Sequence, residues 1–145
     1  MGKLLKWCSQ EEVVHAHIMM MEYQNQVLMR EASEAAGRTV NTMSNFMDLT
    51  GASLRMLSKA SMDVFSKVAE VDQNNYPELM GSTYVINAPW VFATIWKAVR
   101  IFLDQNTQNK VHILKAGKET DEVLDEVLEP EHSRSVRAFL SGEAA

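Results

Sequence analysis

The chain has 145 residues, a formal net charge of −5 and a single cysteine, Cys8. A chain of this length forms one domain and hides roughly 70% of its unfolded surface, so a hydrophobic core is expected. Charges of both signs are mixed along the chain without a basic tract, which argues against nucleic acid as a partner. The lone cysteine excludes an intramolecular disulfide and is typical of a reducing compartment.

Membrane signals are weak in the sequence. No apolar run approaches the ~20 residues that span a bilayer. The N-terminal segment MGKLLKWCS is too short for a signal peptide, and Lys6 stands where a myristoylation motif has Ser or Thr. Palmitoylation of Cys8, beside Lys3 and Lys6, is an alternative way for the chain to associate with a membrane. The sequence otherwise predicts a cytoplasmic protein.

The first half of the chain predicts a helix, a strand and a second helix. Ser9 and Glu12 form a capping box, and the segment continues without Gly or Pro to Gly37, a residue typical of helix C-termini. Mixed alternation before a turn signal predicts a strand centred on residues 44–48. Apolar residues at helical spacing then predict a helix over residues 54–71.

The second half predicts two strands around an unusually apolar helix. Short strands are predicted over residues 83–87 and 110–114, with a helix over residues 90–103 between them. Only Thr94, Lys97 and Arg100 interrupt that helix with polar side chains. Such a helix is either buried on nearly all sides, as plain core against the sheet, or meets lipid on one face.

A charged helix over residues 118–128 comes next, and Pro130 separates it from a final polar helix or tail. Strands that alternate with helices predict an α/β fold with a mostly parallel sheet and flanking helices.

No residue pattern predicts catalysis, a metal site or a cofactor. There is no Gly-x-Ser-x-Gly turn and no glycine-rich phosphate loop. His15 and His17 are two residues apart on a helix and therefore point to nearly opposite sides. We expect no enzymatic activity.

Four motifs in a fixed order resemble the CRAL-TRIO lipid-binding domain, and in particular the phosphatidylinositol/phosphatidylcholine transfer proteins of the secretory pathway. These motifs are YPELMG, YVINAPW, FLD and KVHIL. The resemblance is dense from Leu4 to Gly117. It implies a truncated CRAL-TRIO fold over residues 1–128, because the family's N-terminal helices and first strand would precede Leu4. Residues 129–145 would form a polar tail or short helix.

The resemblance also implies functional residues. The head group of a phosphatidylinositol-like lipid would contact Glu78, Thr107 and Lys110, as a carboxylate, a hydroxyl and a cation. Met43 and Asn45 replace the hydroxyl residues of choline-binding members, which argues against a choline head group. The apolar pocket and its gate helix would be formed by Phe92, Ile95, Trp96, Val99, Phe102 and Leu103.

Two functions remain open at this stage. The first is binding and intermembrane transfer of a phospholipid or other hydrophobic ligand, by a cytoplasmic protein that contacts membrane surfaces transiently. The second is an interaction or regulatory remnant without transfer activity, in which an exposed sheet edge favours a homodimer.

Overall fold

A computed structural model describes residues 6–142 of the chain. Residues 1–5 and 143–145 are not described. The expectations that involve Lys3 and Leu4, and the last residues of the polar tail, therefore lie outside the described part.

Three parallel strands form the sheet: β1 (Met43–Asp48), β2 (Met80–Ala88) and β3 (Val111–Lys115). Their spatial order is β1-β2-β3, and helices connect each strand to the next, as parallel pairing requires. The predicted α/β class and parallel sheet are confirmed. β2 is central, and its residues Thr83, Val85 and Ile86 are buried.

Helices and helical turns surround this sheet. The helices are α1 (Gln10–Tyr23), α2 (Met29–Ala36), α3 (Lys59–Asn75), α4 (Phe92–Val99), α5 (Gln105–Asn109), α6 (Lys118–Val127) and α7 (Pro130–Ser141). A π-helical turn, Gln24–Leu28, joins α1 to α2. Turns of 3-10 helix, Leu54–Leu57 and Arg100–Phe102, precede α3 and follow α4. Within residues 6–142, no helix is long and apolar enough to cross a bilayer.

Two helices differ from the sequence expectation at their ends. The helix expected over residues 54–71 begins only at Lys59, because Ser58 has extended backbone (ψ 147°) and its side chain caps α3 by accepting from the N–H of Ser61. The helix expected over residues 90–103 is shorter. Its start is a turn in which the N–H of Phe92 donates to the carbonyl of Pro89 at 2.8 Å, and its end tightens into the 3-10 turn.

The core lies between the sheet and the inner side of α4. Phe92 and Ile95 pack with Val85, Ala88 and Leu49 in one buried cluster. Phe92, Ile95, Trp96 and Val99 follow helical spacing, so one side of α4 faces this cluster. α4 therefore has one buried side and one exposed side, although its sequence is apolar nearly all round.

The C-terminal segment forms helix α7, which packs on α6. The guanidinium of Arg137 pairs with Asp121 and with Asp125, the latter at 2.8 Å. Ser133 is buried and donates to Asp125 at 2.8 Å. Of the two expectations for this segment, a short helix matches the structure. The division of the chain at residue 128 stays a prediction.

The capping box at the start of α1 gives a first testable prediction. The N–H of Glu12 donates to Ser9 Oγ at 3.1 Å, and the N–H of Ser9 donates to Glu12 Oε2 at 2.7 Å. Ser9→Ala is expected to lower the free energy of unfolding by about 1 kcal/mol, as lost N-caps do. Urea unfolding measures this. Ser53→Ala is the control, because Ser53 precedes a 3-10 turn without a capping side-chain bond, and an equal loss there would contradict the assignment.

Candidate lipid head-group site and gate helix

Two of the predicted head-group residues meet at the amino edge of the sheet. Glu78 precedes β2, and Lys110 precedes β3. Because the two strands are parallel neighbours, their amino ends lie side by side. Lys110 Nζ lies 3.1 Å from Glu78 Oε2 and donates a second hydrogen bond to the carbonyl of Met80 at 2.9 Å.

The ammonium group of Lys110 does not use all of its hydrogen-bond donors. A lysine carries three N–H donors, and its two contacts here leave one free to point elsewhere. The side chain of Lys110 is 25% exposed, whereas that of Glu78 is 76% exposed. A phosphate oxygen could therefore accept from Lys110 without displacing Glu78.

Glu78 sits in an unusual backbone conformation. Its φ is +62°, in the left-handed region that non-glycine residues rarely adopt. This turn between α3 and β2 directs the carboxylate toward Lys110, and the amide of Asn106 also donates to it at 3.3 Å. The sequence did not single out Asn106. Its place in the polar loop before Lys110 was the available signal.

Thr107 also precedes β3, but its hydroxyl bonds to Asp104 rather than to Glu78 or Lys110. Asp104 caps α5, accepting from the N–H of Thr107 at 3.0 Å and from its hydroxyl. The Thr107 hydroxyl and N–H lower the pKa of Asp104, so its carboxylate is charged at neutral pH. The Thr107 oxygen thus donates inside the protein and keeps lone pairs to accept from a ligand hydroxyl. The cap pattern Asp-x-x-Thr could have revealed this pairing.

Glu78 also borders an open groove of about 480 Å³ between α2 and the turn that leads to β2. Arg30 lines this groove. The guanidinium of Arg30 makes no hydrogen bond or ion pair with any other residue of the described part. The groove is therefore lined by both the carboxylate of Glu78 and the unpaired guanidinium of Arg30. Its volume falls in the range of small-ligand sites.

The predicted gate residues lie on or near the inner side of α4. Phe92 is 6% and Ile95 2% exposed, and the Phe92 ring stacks near that of Trp96 at a centroid distance of 6.5 Å. Trp96 and Val99 are half-buried against the core. Phe102 and Leu103, also half-buried, follow in the next turn, where Phe102 meets Phe65 edge-on at 6.0 Å. All six predicted gate residues are thus at least partly covered by protein.

A second polar cluster lies at the carboxyl edge of the sheet. Asp48 ends β1 and accepts from the amide of Asn87 at 3.0 Å and from Thr50. Partial burial alone would raise the pKa of Asp48, but the hydrogen bonds from Asn87 and Thr50 together lower it. The sequence predicted a turn at Asp48 but not its contact with Asn87. Met43 and Asn45 lie earlier on β1, opposite Met80 and Thr83.

The described part of the chain contains no cluster of three or more His, Cys, Asp or Glu side chains that could hold a metal ion. Fold and site together define an α/β protein with a charged amino edge and an apolar helix over one face of its sheet. A model of the CRAL/TRIO domain matches residues 4–134. The chain therefore belongs to the CRAL/TRIO domain family.

Individual relatives agree with this assignment. The chain is 31% identical over 131 residues to the phosphatidylinositol/phosphatidylcholine transfer protein SFH12 of Arabidopsis thaliana, which covers 89% of this chain and 24% of that protein. It is similarly 31% identical to SFH9 of the same plant, over 89% of this chain and 22% of that protein. The chain thus spans about a quarter of the length of these relatives.

A solved structure is also similar. The crystal structure of Sfh5 matches with a TM-score of 0.52 and 27% sequence identity, over 57% of this chain and 30% of that one. The predicted resemblance to the phosphatidylinositol/phosphatidylcholine transfer proteins is confirmed as a family relationship.

Proposed function

We propose that this chain binds a phosphatidylinositol-like phospholipid and moves it between membranes. The observation that carries the proposal is the contact of Lys110 with Glu78 at 3.1 Å, in a member of the CRAL/TRIO domain family. Lys110 would donate its free N–H to the phosphodiester, while Glu78 and Thr107 would accept from inositol hydroxyls. The groove beside Glu78, with the free cation of Arg30, offers room for the ring.

The acyl chains would lie between the sheet and α4, and α4 would act as the gate. Phe92 and Ile95 now fill that space, so a lipid enters only if α4 moves outward and exposes them. Exposing one such side chain to water costs about 1.5–3 kcal/mol, and each CH₂ of an acyl chain in water costs about 0.8 kcal/mol. The acyl chain would therefore have to take the place of Phe92 and Ile95 directly from the bilayer, and leaving the closed pocket for water would be costly.

Native mass spectrometry of the protein purified from cells tests this function. A folded monomer heavier by the mass of one phospholipid is the expected result, and extraction of that lipid identifies its head group. The proposed activity is non-enzymatic and needs no cofactor. It places the protein in the cytoplasm with transient contacts to membranes. A protein that is folded and monomeric but lipid-free, even after incubation with phosphatidylinositol vesicles, would contradict the proposal.

The open edge of the sheet favours a second candidate, a protein-interaction or regulatory remnant that does not transfer lipid. In the described part, β1 and β3 each pair only with β2, so the outer side of each strand forms an edge of the sheet. Met47 on β1 is also more than half exposed. Such an edge can pair with another strand, including that of a second copy. A lipid-free homodimer in the same mass spectrum would support this candidate.

A further inference from the structure

The carboxyl edge of the sheet ties the end of β2, just before α4, to the ends of the two neighbouring strands. The side-chain amide of Asn87 donates to Asp48 Oδ1 at 3.0 Å, and its backbone N–H donates to Thr120 Oγ1 at 3.3 Å. Thr120 is buried, and its hydroxyl donates to the carbonyl of Lys115 at 3.0 Å, at the end of β3. Asn87 thereby links the ends of all three strands.

The backbone of Asn87 is also unusual. Its φ is +53°, in the left-handed region, which asparagine tolerates better than most residues. Pro89 follows with a φ that its ring restricts, and no glycine occurs between Gly81 and Gly117. The direction in which the chain leaves the sheet toward α4 is therefore set at Asn87, because the connection contains no glycine that would bend freely.

The contact between Asp48 and Asn87 borders the core beneath α4. Leu49 and Ala88, which directly follow these two residues, belong to the buried cluster against which α4 packs. Burial acts to raise the pKa of Asp48, but hydrogen bonds from Asn87 and Thr50 lower it, so its carboxylate is charged at neutral pH. Hydrogen bonds to a charged group are stronger than those between neutral groups. The contact therefore holds together two chain segments that support α4.

We propose that Asp48 and Asn87 form a clamp that keeps α4 closed over the core, so that Asn87 is a positioning residue for lipid entry. The inference rests on the proposed function, in which an acyl chain enters when α4 moves outward. Outward movement of the first turn of α4 strains the clamp, because only a short connection separates that turn from Asn87. A weaker clamp should therefore increase the time during which the inner side of α4 is exposed.

A thiol on the inner side of α4 reports this opening. Ile95 is 2% exposed, so the thiol of Ile95→Cys reacts with N-ethylmaleimide only when α4 opens or the protein unfolds. Val64 on α3 is 1% exposed and lies outside the buried cluster beneath α4, so Val64→Cys reports unfolding that does not depend on α4. Both reporters also carry Cys8→Ser, which removes the natural thiol.

Asn87→Asp is expected to raise the labelling rate of Ile95→Cys about 10- to 100-fold, because two facing carboxylates replace a hydrogen bond to a charged group. Aspartate has nearly the shape of asparagine and also tolerates a positive φ, so the backbone is retained. Asp48→Asn combined with Asn87→Asp exchanges the two partners and should return the rate most of the way. Labelling of Val64→Cys should change much less in both variants.

Asn74→Asp is the matched control, because it makes the same substitution at an exposed residue of α3 whose side chain makes no hydrogen bond in the described part. It should leave labelling of Ile95→Cys unchanged. An equal rise for Ile95→Cys and Val64→Cys in the Asn87→Asp protein would overturn the clamp, since the variant would then act through global stability. An exchanged pair that labels as fast as Asn87→Asp alone would overturn it too.

Circular dichroism verifies that the variants are folded. Asn87→Gly keeps the positive φ but lacks the amide, so it replaces Asn87→Asp if that protein does not fold, and it should also raise the rate. Native mass spectra of the unaltered protein separate this proposal from the proposed function. A protein that carries lipid, yet labels independently of the clamp, removes the clamp alone. A lipid-free protein whose labelling follows the clamp removes the carrier function and leaves the control of α4 standing.

Discussion

Replacing Trp96 with aspartate is expected to reduce phospholipid loading at least about tenfold while leaving most of the helical signal intact. Trp96 is half-buried on the inner side of α4 and stacks near Phe92. An acyl chain between α4 and the sheet would pass beside this position, and a carboxylate there must be desolvated when the chain enters. The loss should affect every lipid, because the head group is not involved.

Two control variants define what this result means. Trp96→Phe keeps an apolar ring at the position and should load nearly as much lipid as the unaltered protein. Trp7→Asp makes the same substitution at a tryptophan that is 88% exposed, and should leave loading unchanged. Loading is measured by native mass spectrometry, and folding by circular dichroism. Unchanged loading in a folded Trp96→Asp protein would remove α4 from the proposed gate.

Local signals were sufficient for most of the fold. The Ser9–Glu12 capping box begins α1, and Gly37 ends α2 with a φ of +61°, as a C-terminal glycine does. These features depend on residues within one turn of each other. The π-helical turn between α1 and α2 was not predicted, because no Gly or Pro marks it.

The candidate site needed more than local signals. Glu78 and Lys110 are 32 residues apart, and spacing alone gives no reason for them to meet. Only the family resemblance paired them, and the parallel register of β2 and β3 explains why they are close. The contacts of Glu78 with Asn106, and of Asp48 with Asn87, also join distant segments. Such pairs follow from strand register, which a single sequence does not specify.

Buried and exposed sides of α4 were likewise beyond the sequence. An apolar helix with few polar residues has no clear amphipathic pattern, so both core packing and lipid contact remained open. The structure separates the two sides: Ile95 is 2% exposed, whereas Thr94 and Lys97 are exposed. The side that faces the sheet packs in the core, and its part in a gate stays a prediction.

Replacing Lys110 with alanine is expected to weaken phosphatidylinositol binding by about 10- to 100-fold, the range for a lost hydrogen bond to a charged group. Phosphatidylcholine should be affected less, since it shares the phosphodiester but lacks the inositol hydroxyls that Glu78, held by Lys110 at 3.1 Å, would accept from. Competition between phosphatidylinositol and phosphatidylcholine, followed by mass spectrometry of the bound lipid, measures this selectivity directly.

Stability should change little in this variant, which makes the binding result interpretable. Glu78 is mostly exposed, so its carboxylate stays hydrated after Lys110 is removed, and the carbonyl of Met80 loses one donor. Lys115→Ala is the control: this lysine lies at the opposite end of β3 and pairs with Glu119 at 3.5 Å. Equal losses for phosphatidylinositol and phosphatidylcholine in Lys110→Ala would contradict a role of Lys110 in inositol recognition, because both lipids carry the phosphodiester.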